Sequence, residues 1–415
     1  MRGPIARGTI RTSFVLGLRL VVQAGTLLIV ARMLGPDQFG AFAGIAALAV
    51  ILGTLSTFGT HLVLLGEVSK EPDRREQVLP YAVPFTLLCG GVLLAVFLLL
   101  SILVLHEADI SPTALIVIGV TELWLQPLFG FPAMEQMALG RTARSQLLAT
   151  LPLALRLLAA AAVFLTGPGD PLTVYAFGYL AASIAALAIA TSAMSLRWPH
   201  PRVWRLPARA EIRESAGYAV LNITAMSPAE LDKTLATKLL PLASAGVYAA
   251  GARVIGAATL PVIAMMMSAL PRLFREGQAK AEHTARLLRW IFAAALAYGL
   301  GLAALLWFIA PLFDWLFGAG YRELGHIIRW LCLAVPALAL RTAAGNILMA
   351  LGRPWVRVAF EVTGLIVLVG ASTLFTINFG GTGMPLALAS AEWVMVLVGW
   401  LLVRARIKAQ GAALF

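Results

Sequence analysis

Apolar runs of about 20 residues recur from one end of the chain to the other, separated by short polar turns. Each run is long enough to cross a bilayer, and a helix is the form that satisfies its own backbone there. Turn signals such as "LGPDQ", "HEADIS", "GPGDP" and "NFGGTG" punctuate the runs. The pattern predicts an all-α polytopic membrane protein with about 12 spans, at 13–33, 39–66, 79–105, 112–136, 146–166, 172–196, 215–239, 246–271, 287–311, 325–351, 355–376 and 385–403.

Composition agrees, since 60% of the 415 residues are hydrophobic and 13% charged, whereas soluble domains carry about 25% charged residues. The start of the chain, "MRGPIARGTIRTSFVLGL", is basic and then apolar like a signal peptide. Its apolar part runs on to Met33, which predicts an uncleaved first span. With the N-terminus cytoplasmic, the inside segments hold 23 Lys and Arg and the outside loops one, Arg322. This bias predicts that both termini are cytoplasmic. It also accounts for the net charge of +12 without nucleic acid. Cys89 and Cys332 both fall in apolar runs, with no metal-ligand spacing.

The five residues "MALGR" occur twice, at Met137–Arg141 and Met349–Arg353, an offset of 212. "ARMLGPDQFGAFAG" (31–44) also aligns with "TKLLPLASAGVYAA" (237–250) at an offset of 206, placing Gly40 on Gly246 and Arg32 on Lys238. Two matches at near-equal offsets, both at span ends, predict a parallel repeat of six spans plus six. The expected parts are an N-terminal bundle (1–196), a basic cytoplasmic linker (197–214) and a C-terminal bundle (215–415) around a central cavity. Duplicated halves of this kind are a transporter architecture.

The stretches "ARMLGPDQFGAFAGIAAL" and "STFGTHLVLLGEVSK" resemble the opening of the bacterial polysaccharide-biosynthesis flippases. "AELDKTLATKLLPLASAGVYAAGARV" and "LFGAGYRELGHIIRWL" resemble the matching parts of their second half. The likeness is to the O-antigen (Wzx-like) branch of the multidrug/oligosaccharidyl-lipid/polysaccharide exporter superfamily. It implies two six-helix bundles whose first two helices line the cavity. It also implies movement of an undecaprenyl-pyrophosphate-linked oligosaccharide from the inner to the outer leaflet by alternating access. The setting would be lipopolysaccharide or other surface-glycan synthesis, with a polysaccharide polymerase and other biosynthesis proteins as partners.

A charge at mid-bilayer costs about 2.5–3.5 kcal/mol on insertion scales, so each should face a cavity or a partner. Arg19 lies about 9 Å into the first span, with Gln23 on the same face, and either faces the cavity or snorkels. The seventh span, "NITAMSPAELDKTLATK", should kink at Pro228, and it places Asn222, Glu230, Lys233 and Thr237 on one face, with Asp232 beside them. Arg253, about 10 Å into the eighth span, stands where the repeat has Ala47. It either binds substrate or pairs with Asp232 or Glu230. Arg156 and Glu122 would pair in one bundle, or Glu122 would titrate. Arg341 lies deep in the tenth span without an obvious partner, and Glu361 and Glu392 are further candidates. His326 and Arg329 are expected at the outer interface.

The expected pyrophosphate or glycan ligands are therefore Arg19, Gln23, Asn222, Lys233, Arg253 and Arg341. The expected cation-coupling carboxylates are Glu122, Asp232 and Glu230. No cofactor is expected beyond H⁺ or Na⁺ as a coupling ion. The runner-up is an Na⁺- or H⁺-coupled multidrug or lipid exporter, which an acidic cavity would favour. The third reading, an integral-membrane glycosyltransferase or polymerase, would call for a sizeable extramembrane loop carrying acids, Arg and His. The long loops here are basic, and His occurs five times.

Overall fold

The computed structural model describes residues 4–105, 110–192, 198–261, 281–350 and 354–409. These residues fold as helices joined by short turns, with no strand among them. The chain divides into two compact units, Met1–Met226 and Ser227–Phe415. The division falls twelve residues beyond the end of the predicted linker, because the helix after the linker packs with the first unit.

The first unit contains α1 (Pro4–Ser56), α2 (Thr60–Lys70), α3 (Arg75–Val104), α4 (Pro112–Val120), α5 (Gln126–Ala138), α6 (Thr142–Thr166), α7 (Pro171–Ser192) and α8 (Arg209–Met226). Helix α1 breaks at Gly35, whose φ of 69° is left-handed, and Pro36 opens its second limb. A second break follows at Phe58-Gly59. Gly59 has φ 79°, and a Cβ there would meet Ala219 N of α8 at 2.8 Å. Only glycine satisfies both the dihedral and the close approach. The sextet α1, α3, α4–α5, α6 and α7 encloses a core rich in small residues.

The second unit contains α9 (Pro228–Leu239), α10 (Leu242–Ala258), α11 (Ala281–Phe317), α12 (Leu324–Leu331), α13 (Val335–Ala350), α14 (Pro354–Phe379) and α15 (Gly383–Ala409). Leu288, Ile291, Ala295, Ala343, Ile347 and Phe360 form the heart of its core. Between α8 and α9 the helix is interrupted at Ser227, directly before Pro228, where proline removes a backbone donor.

By length and composition seven stretches can cross a membrane, or eight if α12 and α13, bent by 45°, count as one span. Two of the seven are 40 and 51 residues long, about 60 and 76 Å of helix against a hydrocarbon core of about 30 Å. Each is interrupted by a turn, at Gly35 and at Gly380–Thr382, and each takes up two of the predicted spans. The seventh and eighth predicted spans are not among the seven. The former carries Glu230, Asp232 and Lys233 and is broken at Ser227. The latter is described only to residue 261. Leu165, Phe308 and Ile377 are 83%, 81% and 77% exposed, as side chains facing lipid tails are. The chain is a multi-pass membrane protein.

The repeated pentapeptide has a physical meaning in its first copy. Gly140 has φ 73°, its N–H bonds Met137 O at 3.0 Å, and Arg141 N bonds Gln136 O at 2.9 Å. These two bonds are a Schellman stop that satisfies the last carbonyls of α5. In the second copy α13 ends at Ala350, the repeat equivalent of Ala138; Leu351–Arg353 lie outside the described residues. The 206 offset recurs too: a helix starts at Pro36 after Gly35, and α10 starts at Leu242 after Pro241.

Candidate functional site

Each unit buries ionic side chains. In the first unit Thr121–Leu125 form one π turn between α4 and α5, with Gln126 N bonded to Thr121 O. Such turns are frequent at functional sites. The turn carries Glu122, which is buried. Its Oε1 accepts a hydrogen bond from Tyr179 OH of α7 and lies 3.5 Å from Arg156 Nη2 of α6. The Arg156 guanidinium also covers the Tyr179 ring at 3.8 Å. The second limb of α1 reaches the same place at Gly53, where a Cβ would meet Glu122 O at 2.5 Å. Gln126 bonds Ser183 Oγ at 3.2 Å. The expected Arg156–Glu122 pair is therefore present. Tyr179 is the partner that sequence reasoning missed; the available signal was a rare tyrosine, one of seven in the chain, within an apolar span.

The second unit assembles two clusters. In the first, Asp232 and Lys233 of α9 are both buried. Lys233 Nζ lies 3.2 Å from Asp232 Oδ1 and 3.6 Å from Glu230 Oε2, and it donates to Ala229 O. Asp232 Oδ2 accepts from Tyr248 OH of α10 at 2.9 Å. Arg253, also on α10, reaches Glu230 Oε2 only at 4.0 Å, and its side chain is 35% exposed. In the second cluster Arg341 of α13 lies 3.0 Å from Glu392 of α15 and 3.4 Å from Glu361 of α14. Arg357 lies 3.9 Å from Glu361 on the other side. The clusters are continuous, because Glu392 interacts electrostatically with Asp232 and Tyr248.

This arrangement corrects two expectations. Arg341 has two carboxylate partners, which the sequence separates by 20 and 51 residues and the fold brings together. Arg357 and Arg75, both counted as loop charges, are drawn into pairs; Arg75 Nη1 lies 2.5 Å from the buried Glu135. Asn222 is half-buried on α8, in the first unit, whereas Glu230–Lys233 belong to the second. Arg19 and Gln23 are half-buried on α1, and Arg19 has no ion pair among the described residues. His326 is exposed and bonds Trp330, and Arg329 lies over Trp307 at 5.9 Å, as expected of interfacial groups.

The family profile described as polysaccharide biosynthesis protein matches residues 5–276, well over half of the chain. The chain belongs to this polysaccharide biosynthesis protein family. No curated protein matches it by sequence. Among solved structures, an inward-facing multidrug resistance MATE transporter of the MOP superfamily is similar at a TM-score of 0.77 and 15% identity, over 94% of this chain and 95% of that one. The lipid II flippase MurJ, inward closed, is similar at 0.73 and 13% identity, over 95% and 87%. A MOP superfamily transporter from Pyrococcus furiosus is similar at 0.67 and 15% identity, over 99% and 98%. At these identities the likeness is one of fold. This member of the polysaccharide biosynthesis family buries charge pairs in both units.

Proposed function

We propose that the protein is a flippase. It would move an undecaprenyl-pyrophosphate-linked oligosaccharide from the inner to the outer leaflet by alternating access, through a twelve-span chain with both termini in the cytoplasm. The family match and the transporter fold support this reading, and the arrangement around Arg253 carries it. Arg253 is the cation of its cluster held most loosely, at 4.0 Å from one carboxylate and 35% exposed. A diphosphate offers Arg two parallel acceptors at hydrogen-bond distance and so outcompetes that contact. Arg19, with no ion pair among the described residues, is a further candidate ligand. Lys233 and Arg341 are engaged by carboxylates, Lys233 within α9 and Arg341 between α13 and helices α14 and α15, and would serve structure rather than bind substrate.

Coupling to H⁺ or Na⁺ is assigned to Glu230. Asp232 and Glu122 are each held by a basic partner and a tyrosine hydroxyl, whereas Glu230 contacts Lys233 and Arg253 only at 3.6 and 4.0 Å. A helix broken at Pro228 beside such a carboxylate is the arrangement that transporters use for ion and substrate sites. An acidic drug site is not favoured, since the described acids of both clusters are matched by bases. Deleting the gene tests the function. Lipid-linked repeat units should accumulate on the cytoplasmic leaflet and surface glycan should disappear. Normal surface glycan in a strain without another flippase would contradict the proposal.

A further inference from the structure

The predicted linker, which lies within the first unit, is not a slack tether. Arg205 N bonds Pro80 O at 3.1 Å, and Arg205 Nη2 reaches Gln77 O at 3.4 Å. The same guanidinium grips Glu211 through both oxygens, at 2.6 and 2.8 Å, and lies 4.7 Å over the Tyr81 ring. The hydrogen bond from Arg205 pulls the Glu211 carboxyl below its ordinary range. Upstream, Trp198 bonds Thr191 in the last turn of α7 and packs edge-on against Phe131. The linker is therefore fixed against the ends of α3, α5 and α7.

That fixes its depth. Helix α3 has 30 residues, about 45 Å, against about 40–45 Å for a bilayer including both headgroup layers. Gln77 and Pro80 lie in the first two turns of α3 and so at headgroup level. On this fixed segment three large apolar side chains point away from the protein: Val203 at 54%, Trp204 at 39% and Leu206 at 68% exposure. Arg202, Arg209 and Arg213 are exposed around them. Trp204 Nε1 is satisfied by Pro199 O at 3.1 Å, which leaves its apolar ring free to meet another phase. Charges that only set topology during insertion would not need apolar neighbours held outward.

We propose that residues 202–213 form a docking surface for the anionic phospholipid headgroups of the adjoining leaflet. Val203, Trp204 and Leu206 enter the interface, and Arg202, Arg209 and Arg213 bind phosphate oxygens. The occupant is inferred from depth and charge: apolar side chains at headgroup level enter the acyl boundary, and arginines there attract anionic lipid. The surface is separate from the buried clusters and does not depend on what is transported.

The test uses the full chain with Cys89 and Cys332 replaced by alanine and a nitroxide at Leu206→Cys, in vesicles of phosphatidylcholine with or without phosphatidylglycerol. The label should be accessible to oxygen and shielded from an aqueous nickel chelate, most strongly with phosphatidylglycerol present. The variant Arg202→Gln/Arg209→Gln/Arg213→Gln should lower the preference for spin-labelled phosphatidylglycerol over phosphatidylcholine by at least about twofold, with size-exclusion elution unchanged. A label open to nickel in both vesicle types overturns the proposal. So does a label shielded from both probes, which would mean that another protein copy covers the surface. A triple variant with unaltered lipid preference overturns the headgroup assignment.

Discussion

Arg253 and Lys233 carry the same charge on neighbouring helices and are held in opposite ways. Lys233 is buried between two carboxylates and a carbonyl, whereas Arg253 is partly exposed at the edge of one carboxylate. Arg253→Ala should therefore leave membrane abundance near wild type and abolish transport. Arg253→Lys, which keeps charge but loses the planar fork, should impair transport without abolishing it. Asp232→Asn should behave differently: it leaves Lys233 short of charge in a buried site and should cost about 3–5 kcal/mol. Reduced abundance, recovered in Asp232→Asn/Lys233→Met, is the expected result. Western blotting of membranes beside a glycan-export assay checks both sets. An Arg253→Ala protein that vanishes from the membrane, and returns when Glu230 is also neutralised, would make that residue structural.

At the scale of elements, the turns decide where helices stop. Gly59→Ala should be more damaging than Gly140→Ala. Both glycines have positive φ, which costs a side-chain residue about 1–2 kcal/mol. A Cβ at Gly59 additionally strikes the α8 backbone, while one at Gly140 meets nothing within 4 Å. Thermal unfolding in detergent should give the larger loss of Tm for Gly59→Ala, and equal losses would count against the close approach. Helix existence and the stop at "MALGR" were legible because apolar length and turn chemistry are local properties. The break at Ser227 was legible from Pro228. Less legible was the place where polar groups meet. Nothing local to Arg341 shows Glu392, because the contact depends on α13 packing against α15. Nothing local to Arg357 or Arg75 distinguishes a loop charge from one drawn inward by Glu361 or Glu135. Tyr179 and Tyr248 were invisible as partners, since an apolar span hides the direction of its hydroxyls.

For the whole molecule, the positive loops predict an orientation that labelling can test. Cysteines introduced at 167–171 should react with an impermeant reagent in intact cells. Cysteines at 200 and 208 should react only after permeabilisation. Labelling of the latter in intact cells would invert the topology and move the proposed lipid surface to the other leaflet. The central claim is transport itself, and the most direct measurement is flipping in proteoliposomes. The purified protein is reconstituted with a fluorescent undecaprenyl-pyrophosphate-linked oligosaccharide, and an impermeant quencher reports the leaflet. Wild type should expose the initially protected half of the fluorophore to quencher, and Arg253→Ala should leave it protected. Equal quenching in wild-type, Arg253→Ala and protein-free vesicles would contradict the account.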